Sequence, residues 1–331
     1  MVLYTAKLAL PINEDTDNAN TAVKTQHNAA LTILDEAVLH AHSKHNLLTN
    51  PGFEVWQRGT GPFATTGTYS ADRWLLSIGG GSTLSVSRNT ADVDTASGYC
   101  AALTCTYAAP SYFLQIVEGV TQLRGRAITL SFRVKASVAN AIRISAWDGF
   151  TRTQGSYHTG GGAYETLTLT LNPLRADATV LQVELNMNAS GTFYVDNATL
   201  VVGAAAMAYV PLHPADDLAR CQRYYEVLGS GITGEMMTIG QAYAAGSVCW
   251  IVGLTVEKAI TPTVTVSAAG DFGPVNSALG GLAAFTAVGA NSGGRQKVAL
   301  TGTGSSGLTA GDASMVQAMN TNARVRAEAN P

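Results

Sequence analysis

The feature that most constrains this chain is a series of short stretches in which apolar and polar residues alternate. Nine of these stretches follow one another, and Gly, Asn, Pro or Asp separates them. Alternation with a period of two is typical of strands that bury one face and expose the other. Many short strands with tight turns predict a β-sandwich rather than an α/β fold. The predicted strands are 74–78, 84–88, 99–107, 113–117, 127–136, 141–147, 165–171, 180–187 and 192–202.

Two stretches open and close this region. Residues 46–58, which read NLLTNPGFEVWQR, are predicted to form the opening strand, and the Asn-Pro-Gly within them is a turn signal. Residues 191–203, which read GTFYVDNATLVVG, are predicted to form the closing strand. The apolar alternation there slips by one position near Asp196, which predicts a β-bulge.

Several motifs in this order give the chain a family resemblance. The opening Asn-Pro-Gly-Phe-Glu and the closing Val-Asp-Asn strand resemble those of carbohydrate-binding-module-like jelly rolls. The version found in bacteriophage fibre and minor structural proteins is the most similar. Its further motifs match residues 57–59 (QRG), 69–74 (YSADRW), 156–160 (SYHTG) and 209–226, which include CQRYYE. The resemblance implies a non-enzymatic virion structural protein, a fibre or spike subunit on the virion surface.

Composition sets limits on the class of protein. The chain has 331 residues, enough for two or three domains. Its formal net charge of -3 gives no basic footprint for nucleic acid, so no nucleic-acid partner is predicted. No apolar run approaches the roughly 20 residues of a membrane span, and no signal peptide is recognised. The four cysteines form no CxxC pair, which favours buried free thiols over disulfides.

The predicted fold is mainly β, with three parts. Residues 1–45 form an N-terminal segment with a helix over 21–43, residues 46–210 form the jelly-roll sandwich, and residues 211–331 form a short linker helix and a smaller C-terminal sandwich. The C-terminal strands are predicted at 236–243, 247–256, 263–267, 282–287, 297–301 and 315–326.

The N-terminal helix carries a narrow apolar stripe. Leu31, Leu34, Val38 and Ala41 recur at alternating steps of three and four, which places them on one face. An isolated helix is only marginally stable, so this face needs a partner. Two interpretations are open: a short coiled coil between copies of the chain, or a helix docked on its own sandwich. The family resemblance favours the first, and implies a homotrimer that contacts other virion proteins through this segment.

Residues 147–164 form a predicted loop rich in glycine and aromatic residues. We predict a ligand face here, for host-surface polysaccharide, because sugar rings stack on aromatic side chains and sugar hydroxyls need fixed polar partners. Its candidate ligand-binding residues are Trp147, Asp148, Tyr157, His158 and Tyr164. The alternative is structural: Trp147 ends a buried strand, and the turn that follows is one the fold requires.

No cofactor is predicted to be required. The family resemblance implies that Glu54 and Asp196 share a structural Ca²⁺, an ion that takes six to eight oxygen ligands. The alternative is that Glu54 is exposed and Asp196 caps the bulge.

No enzymatic activity is predicted. Glycan hydrolysis needs two carboxylates at a fixed separation, and the sequence places no such pair in one cleft. The alternative functions are a glycan-binding module of a cellular enzyme and a glycan depolymerase.

Overall fold

The computed structural model describes residues 3–4, 11–12, 46–95, 97–275 and 281–331. The predicted helix 21–43 and its stripe lie outside these ranges, so the helix, its coiled coil and the trimer stay predictions. The described chain is mainly β, which confirms the predicted fold class. It divides into two compact units: residues 1–54, 60–70 and 74–214, and residues 55–59, 71–73 and 215–331.

The described residues of the first unit form twelve strands, β1 to β12. They are β1 Leu3–Tyr4, β2 Pro11–Ile12, β3 Leu75–Ser77, β4 Thr83–Asn89, β5 Cys100–Thr106, β6 Ser111–Ile116, β7 Ile128–Ala136, β8 Ile142–Trp147, β9 Arg152–Tyr157, β10 Tyr164–Leu171, β11 Gln182–Met187 and β12 Gly191–Val202, with a 3-10 turn, η1, at Val120–Gln122. β1 pairs with β2 in a two-stranded ladder.

The remaining strands of this unit form two five-stranded antiparallel sheets. The first sheet has the order β10-β7-β12-β5-β4, and the second has the order β3-β6-β11-β8-β9. Their inner faces share a buried aromatic cluster, in which the Trp74 ring lies 5.3 Å from that of Phe113 in the second sheet and 5.7 Å from that of Phe132 in the first. The two sheets therefore form a sandwich around one core.

The nine predicted strands of the sandwich are confirmed, each to within two residues at either end. The bulge is confirmed as well, because the pairing of β12 with β7 shifts register between Asp196 and Thr199. β9 was not predicted. It lies inside the stretch that was predicted to be a loop, and it pairs with β8 as an edge strand.

The predicted opening strand is wrong, because residues 46–58 contain turns and no regular strand. This stretch nevertheless lies along β12. The Leu47 backbone N–H donates to the Leu200 carbonyl at 2.9 Å, and the Ala198 N–H donates to the Pro51 carbonyl at 2.8 Å. The turn at Asn-Pro-Gly and the β12 bulge at this point leave too few consecutive pairs for a ladder.

In the second unit, the part of the chain that the structure describes forms one helix and nine strands. They are α1 Pro214–Gln222, β13 Tyr225–Leu228, β14 Met236–Ala244, β15 Ser247–Gly253, β16 Thr263–Val266, β17 Phe272–Val275, β18 Ala287–Gly293, β19 Lys297–Thr303, β20 Ala313–Ala318 and β21 Val325–Glu328, with a 3-10 turn, η2, at Ala269–Asp271. Pro214 begins α1, and Asp216 and Asp217 lie in its first turn, where the helix dipole favours negative charge.

These strands form a three-stranded sheet, β13-β21-β16, and a six-stranded sheet, β17-β20-β14-β15-β19-β18. Val325 of the smaller sheet and Trp250 and Val316 of the larger one belong to one apolar core. Four predictions differ from the structure in this unit. No strand was predicted at the position of β13. Residues 282–287 were predicted to be a strand, whereas β18 begins at Ala287. The single strand predicted at 315–326 is two strands separated by a turn. β17 was not predicted because it contains Pro274. Proline is tolerated there, since β17 is an edge strand.

Residues of the resemblance motifs meet inside the second unit. The Gln57 side chain donates to the Tyr225 carbonyl at 2.8 Å, and its backbone N–H donates to Asp72 at 3.0 Å. The guanidinium of Arg58 lies 3.5 Å from the Tyr225 ring centroid, and that of Arg73 lies 3.7 Å from the Tyr224 ring centroid. The three motifs QRG, YSADRW (its ADR part) and CQRYYE (its RYY part) therefore contribute to one cation–π cluster. This is a structural role.

We expect Arg73→Ala to lower the free energy of unfolding of the second unit by roughly 2 to 4 kcal/mol. The side chain is buried, stacks on Tyr224 and donates to Asn330 at 3.0 Å, so its loss leaves a cavity and an acceptor without its donor. Chemical unfolding measures the change. Arg88→Ala is the control for a cation–π pair of the first unit: Arg88 stacks on Tyr99 at a partly exposed site, so its loss should cost that unit under about 1 kcal/mol. Equal losses in both variants would contradict the structural role.

Candidate functional site

The outer face of the second sheet carries three rows of side chains that cross four strands, and all but Leu114 and Ile116 are polar or aromatic. The strands β6, β11, β8 and β9 alternate, so residues opposite one another in the ladders point to the same side. The rows are Tyr112-Asn186-Arg143-Tyr157, Leu114-Glu184-Ser145-Gln154 and Ile116-Gln182-Trp147-Arg152. We call these twelve residues the polar-aromatic face.

A hydrogen-bonded ion pair lies at the centre of the polar-aromatic face. Arg152 reaches from edge strand β9 to Glu184 on β11, with its Nε 2.8 Å from Oε2 and its Nη2 3.1 Å from Oε1. The Ser145 hydroxyl donates to the same carboxylate at 2.7 Å. The Glu184 side chain is fully buried although it belongs to the outer face, because these partners cover it. This bidentate geometry fixes the guanidinium in place.

The two arginines of this face lie against its aromatic rings. The Arg152 guanidinium carbon is 4.4 Å from the Tyr112 ring centroid and 5.2 Å from the Trp147 ring centroid. That of Arg143 is 4.6 Å from the Tyr157 ring centroid. Among the described residues, the Nε of Arg143 is buried and has no hydrogen-bond partner. A buried donor of this kind calls for an acceptor from another molecule or from water.

The residues predicted to bind a ligand do not lie together. Trp147 and Tyr157 belong to the polar-aromatic face. Asp148 is buried and ends β8, where it accepts hydrogen bonds from the backbone N–H groups of Phe150 and Thr151 at 2.8 and 2.7 Å. It therefore holds the turn between β8 and β9.

His158 and Tyr164 lie elsewhere as well. The His158 ring is fully buried, with Nδ1 accepting from the Gly160 N–H at 2.9 Å and Nε2 3.0 Å from the Val134 carbonyl oxygen. Tyr164 lies on β10 of the first sheet, and its hydroxyl donates to the Asp92 carbonyl at 2.6 Å. The five residues predicted to form one ligand face are therefore not together. His158 and Asp148 hold turns, and Tyr164 is on the other sheet.

Of the polar-aromatic face, only Trp147 and Tyr157 were predicted from the sequence. Arg143, Gln182 and Asn186 carried a signal, because each alternates with buried apolar neighbours along its strand. That alternation shows which residues share a face within one strand. It does not show that β9, β8, β11 and β6 are neighbours, which brings Arg152, Glu184 and Tyr112 together.

The outer face of the first sheet contains a cavity of about 350 Å³. Arg133 forms part of its lining and is paired with Asp94 through two hydrogen bonds of 2.7 and 3.1 Å. The other lining residues come from the β4–β5 connection, from β7, β10 and β12, and from the segment after β12; they are Thr95, Ser131, Thr166, Asn197, Met207, Ala208, Tyr209 and Pro211. This cavity is a second candidate site in the same unit.

The donor set around Glu54 and Asp196 does not fit the Ca²⁺ ion that the resemblance implies. Glu54 Oε1 accepts from the backbone N–H groups of Gly98 and Tyr99, at 2.9 and 3.2 Å. Asp196 accepts from the N–H groups of Asp94 and Asn197, at 3.1 and 2.8 Å. N–H groups occupy Glu54 Oε1 and both Asp196 oxygens, whereas a hard cation needs oxygen lone pairs directed at it. The described ranges also contain no cluster of three or more His, Cys, Asp or Glu side chains suited to a metal.

Comparison with known proteins gives structural neighbours of low similarity. No family model matches the chain, and no curated protein does. A family 22 carbohydrate-binding module of Clostridium thermocellum Xyn10B aligns with 46% of this chain and 99% of its own, at 16% identity and a TM-score of 0.32. The module TmCBM61, solved with β-1,4-galactotriose, aligns with 48% of this chain and 99% of its own, at 16% identity and a TM-score of 0.33.

A phage protein is also among these neighbours. The enzymatically active domain of tailspike protein 4 of bacteriophage CBA120 aligns with 49% of this chain, at 15% identity and a TM-score of 0.35. The matched region spans 22% of that tailspike domain. The assignment of a β-sandwich rests on the two sheets themselves.

Within the described residues, no helix is both long and apolar enough to cross a membrane.

We expect the stability of the first unit to depend on the ionisation of Asp196. Burial raises the pKa of this carboxyl to about 7, despite its N–H partners and with Asp94 and Arg133 beside it. Because the folded-state pKa lies above the unfolded value near 3.9, the contribution of Asp196 is full below about pH 4 and is lost as the pH rises to about 7.

Asp196→Asn removes this dependence, since an amide does not ionise. From pH 4 to pH 8 the variant should gain on the order of 2 to 4 kcal/mol relative to the natural chain. Urea unfolding at several pH values measures the gain, and Asp312→Asn, at an exposed carboxyl, is the control. A difference between Asp196→Asn and the natural chain that stays constant with pH would contradict the prediction.

Proposed function

We propose that the first unit binds glycans through the polar-aromatic face. The observation that carries the proposal is the combination of Tyr112, Trp147 and Tyr157 with Arg143 and a fixed Arg152 on one sheet surface. The C–H faces of a sugar stack on aromatic rings, and its hydroxyls require donors and acceptors that are already oriented. The face supplies both on strands, which hold side chains more rigidly than a loop does.

The ion pair at the centre of the face supports recognition without a large reorganisation. Because Glu184 and Ser145 hold the Arg152 guanidinium, a ligand meets a donor whose conformational entropy is already lost. Gln154 is exposed at the edge of the sheet, and Gln182 is half-buried beside Trp147. These amides offer donors and acceptors to hydroxyl groups.

We propose further that the protein is not an enzyme. Glu184 is the one carboxylate within the strands of the second sheet. Its two oxygens already accept hydrogen bonds from the Arg152 guanidinium and the Ser145 hydroxyl, which hold it as part of the face. Hydrolysis by the usual glycosidase mechanism needs a second carboxylate across the bond. A glycan depolymerase is the alternative, and release of reducing ends from a bound polysaccharide would support it.

The role we propose for the whole chain is that of a fibre or spike subunit on a bacteriophage surface, which contributes to attachment to host glycans. The order of the motifs along the sequence supports it, as does the way the QRG, ADR and RYY motifs meet in one cluster. In this proposal residues 1–45 associate copies of the chain into a homotrimer and contact other virion proteins.

The proposal predicts that Trp147→Ala weakens glycan binding at least about tenfold, the equivalent of about 1.4 kcal/mol. Affinity electrophoresis in gels that contain xylan, β-galactan, mixed-linkage β-glucan or alginate identifies a polysaccharide that retards the natural chain. Titration calorimetry with that polysaccharide then gives the affinities. The aromatic surface is lost in Trp147→Ala, whereas the sheet ladder is kept.

Thr166→Ala is the matched control, because Thr166 lines the cavity on the first sheet. It should leave the affinity unchanged. Loss of binding in Thr166→Ala with full binding in Trp147→Ala would move the site to that cavity. Retention of binding in both variants would contradict both locations.

A further inference from the structure

Large apolar side chains are exposed on the six-stranded sheet of the second unit. Ile239 is 73% exposed, Ile251 57%, Tyr243 54% and Met236 48%. All four belong to the adjacent strands β14 and β15. Single exposed apolar residues need no explanation, but a contiguous group marks an interaction surface.

The two isoleucines form the centre of a stripe that crosses four strands. Ile239 pairs with Met315 on β20, and Ile251 pairs with Ala299 on β19. The strands β14 and β15 are hydrogen-bonded neighbours, and the Thr238 hydroxyl donates to the Ile251 carbonyl at 2.8 Å. We call Met315, Ile239, Ile251 and Ala299 the isoleucine stripe.

The sheet that carries the isoleucine stripe is almost without charge. Its six strands contain one charged residue, Lys297. By contrast, the strands of the two sheets of the first unit contain Arg133, Lys135, Arg152 and Glu184, among others. Charges on exposed sheets prevent association, so their absence from this sheet permits it.

The exposed part of this sheet is large enough for a specific interface. β17 is buried and is left out of the estimate. The other five strands of the sheet are six to nine residues long; they are β20, β14, β15, β19 and β18. At about 4.8 Å per strand and 3.4 Å per residue they present a face of roughly 24 by 24 Å. Two such faces would bury about 1,100 Å², which exceeds the minimum of roughly 1,000 Å² for a biological interface and lies at the small end of the size range.

We propose that this face packs against the same face of a second copy of the chain. Lys297, at the start of β19, is the one charge on these strands, so few like charges meet when two copies face each other. A partner with a charged surface would instead lose hydration without gaining an ion pair. The formal net charge of -3 on 331 residues adds little repulsion between copies. This contact is separate from the association predicted for residues 1–45: a same-face contact relates two copies by a two-fold axis, so it joins copies of different trimers. It does not depend on glycan binding.

Cys249 provides a reporter on the same face. It pairs with Thr301 in the ladder and is partly exposed, whereas Cys100, Cys105 and Cys221 are buried. We expect Cys249 of the full chain to react with iodoacetamide at least about tenfold more slowly than in Ile239→Glu, because a buried charge disrupts the contact. Peptide mass mapping gives the rate at each cysteine.

Ile232→Glu is the matched control: Ile232 is 64% exposed in the same unit but lies outside the strands. It should react at the rate of the natural chain, and thermal melting of all three proteins checks that each is folded. Sedimentation over a wide concentration range should show weaker association for Ile239→Glu than for Ile232→Glu. Equal Cys249 rates and equal sedimentation in all three proteins would mean that the face is open, and would overturn the proposal.

Discussion

The packing of Trp74 in the core of the first unit is the interaction on which the sandwich depends. Its ring contacts Phe53, Phe113 and Phe132, and so joins the opening stretch to both sheets. Its indole N–H donates to the Asn50 carbonyl at 2.9 Å, which ties it to the Asn-Pro-Gly turn. Phe53 has a φ of 55°, an unfavourable conformation for this residue. Its complete burial beside Trp74 offsets that strain.

The same packing positions the polar-aromatic face. Phe113, Ile144 and Leu185 point into the core, so the period of two directs their neighbours on β6, β8 and β11 outward. A shift of one residue in any of these strands would exchange the two sets. Burial of the apolar set therefore fixes the register that places Glu184 within reach of Arg152. In this way the core determines the surface on which we expect glycans to bind.

How much could be predicted from the sequence depended on whether a strand has a buried face. β7 and β11 bury most of their residues and are rich in apolar side chains, so they were found. β9 reads RTQGSY and has no apolar alternation, because it is an edge strand that buries little. The site could be predicted only in part for a related reason: Trp147 and Tyr157 are conspicuous as aromatic residues, whereas the pairing of Arg152 with Glu184 follows from strand order, which short-range patterns do not contain.

The most direct test of the account is hydrogen–deuterium exchange of the full chain with and without a polysaccharide that binds it. If glycans bind the polar-aromatic face, exchange slows in peptides that cover β8, β9 and β11, since ligand contact protects the amides of the strands beneath it. Peptides from the six-stranded sheet should exchange at the same rate in both samples. Protection confined to the β4–β5 connection and residues 207–211, or to the second unit, would contradict the assignment of glycan binding to the polar-aromatic face.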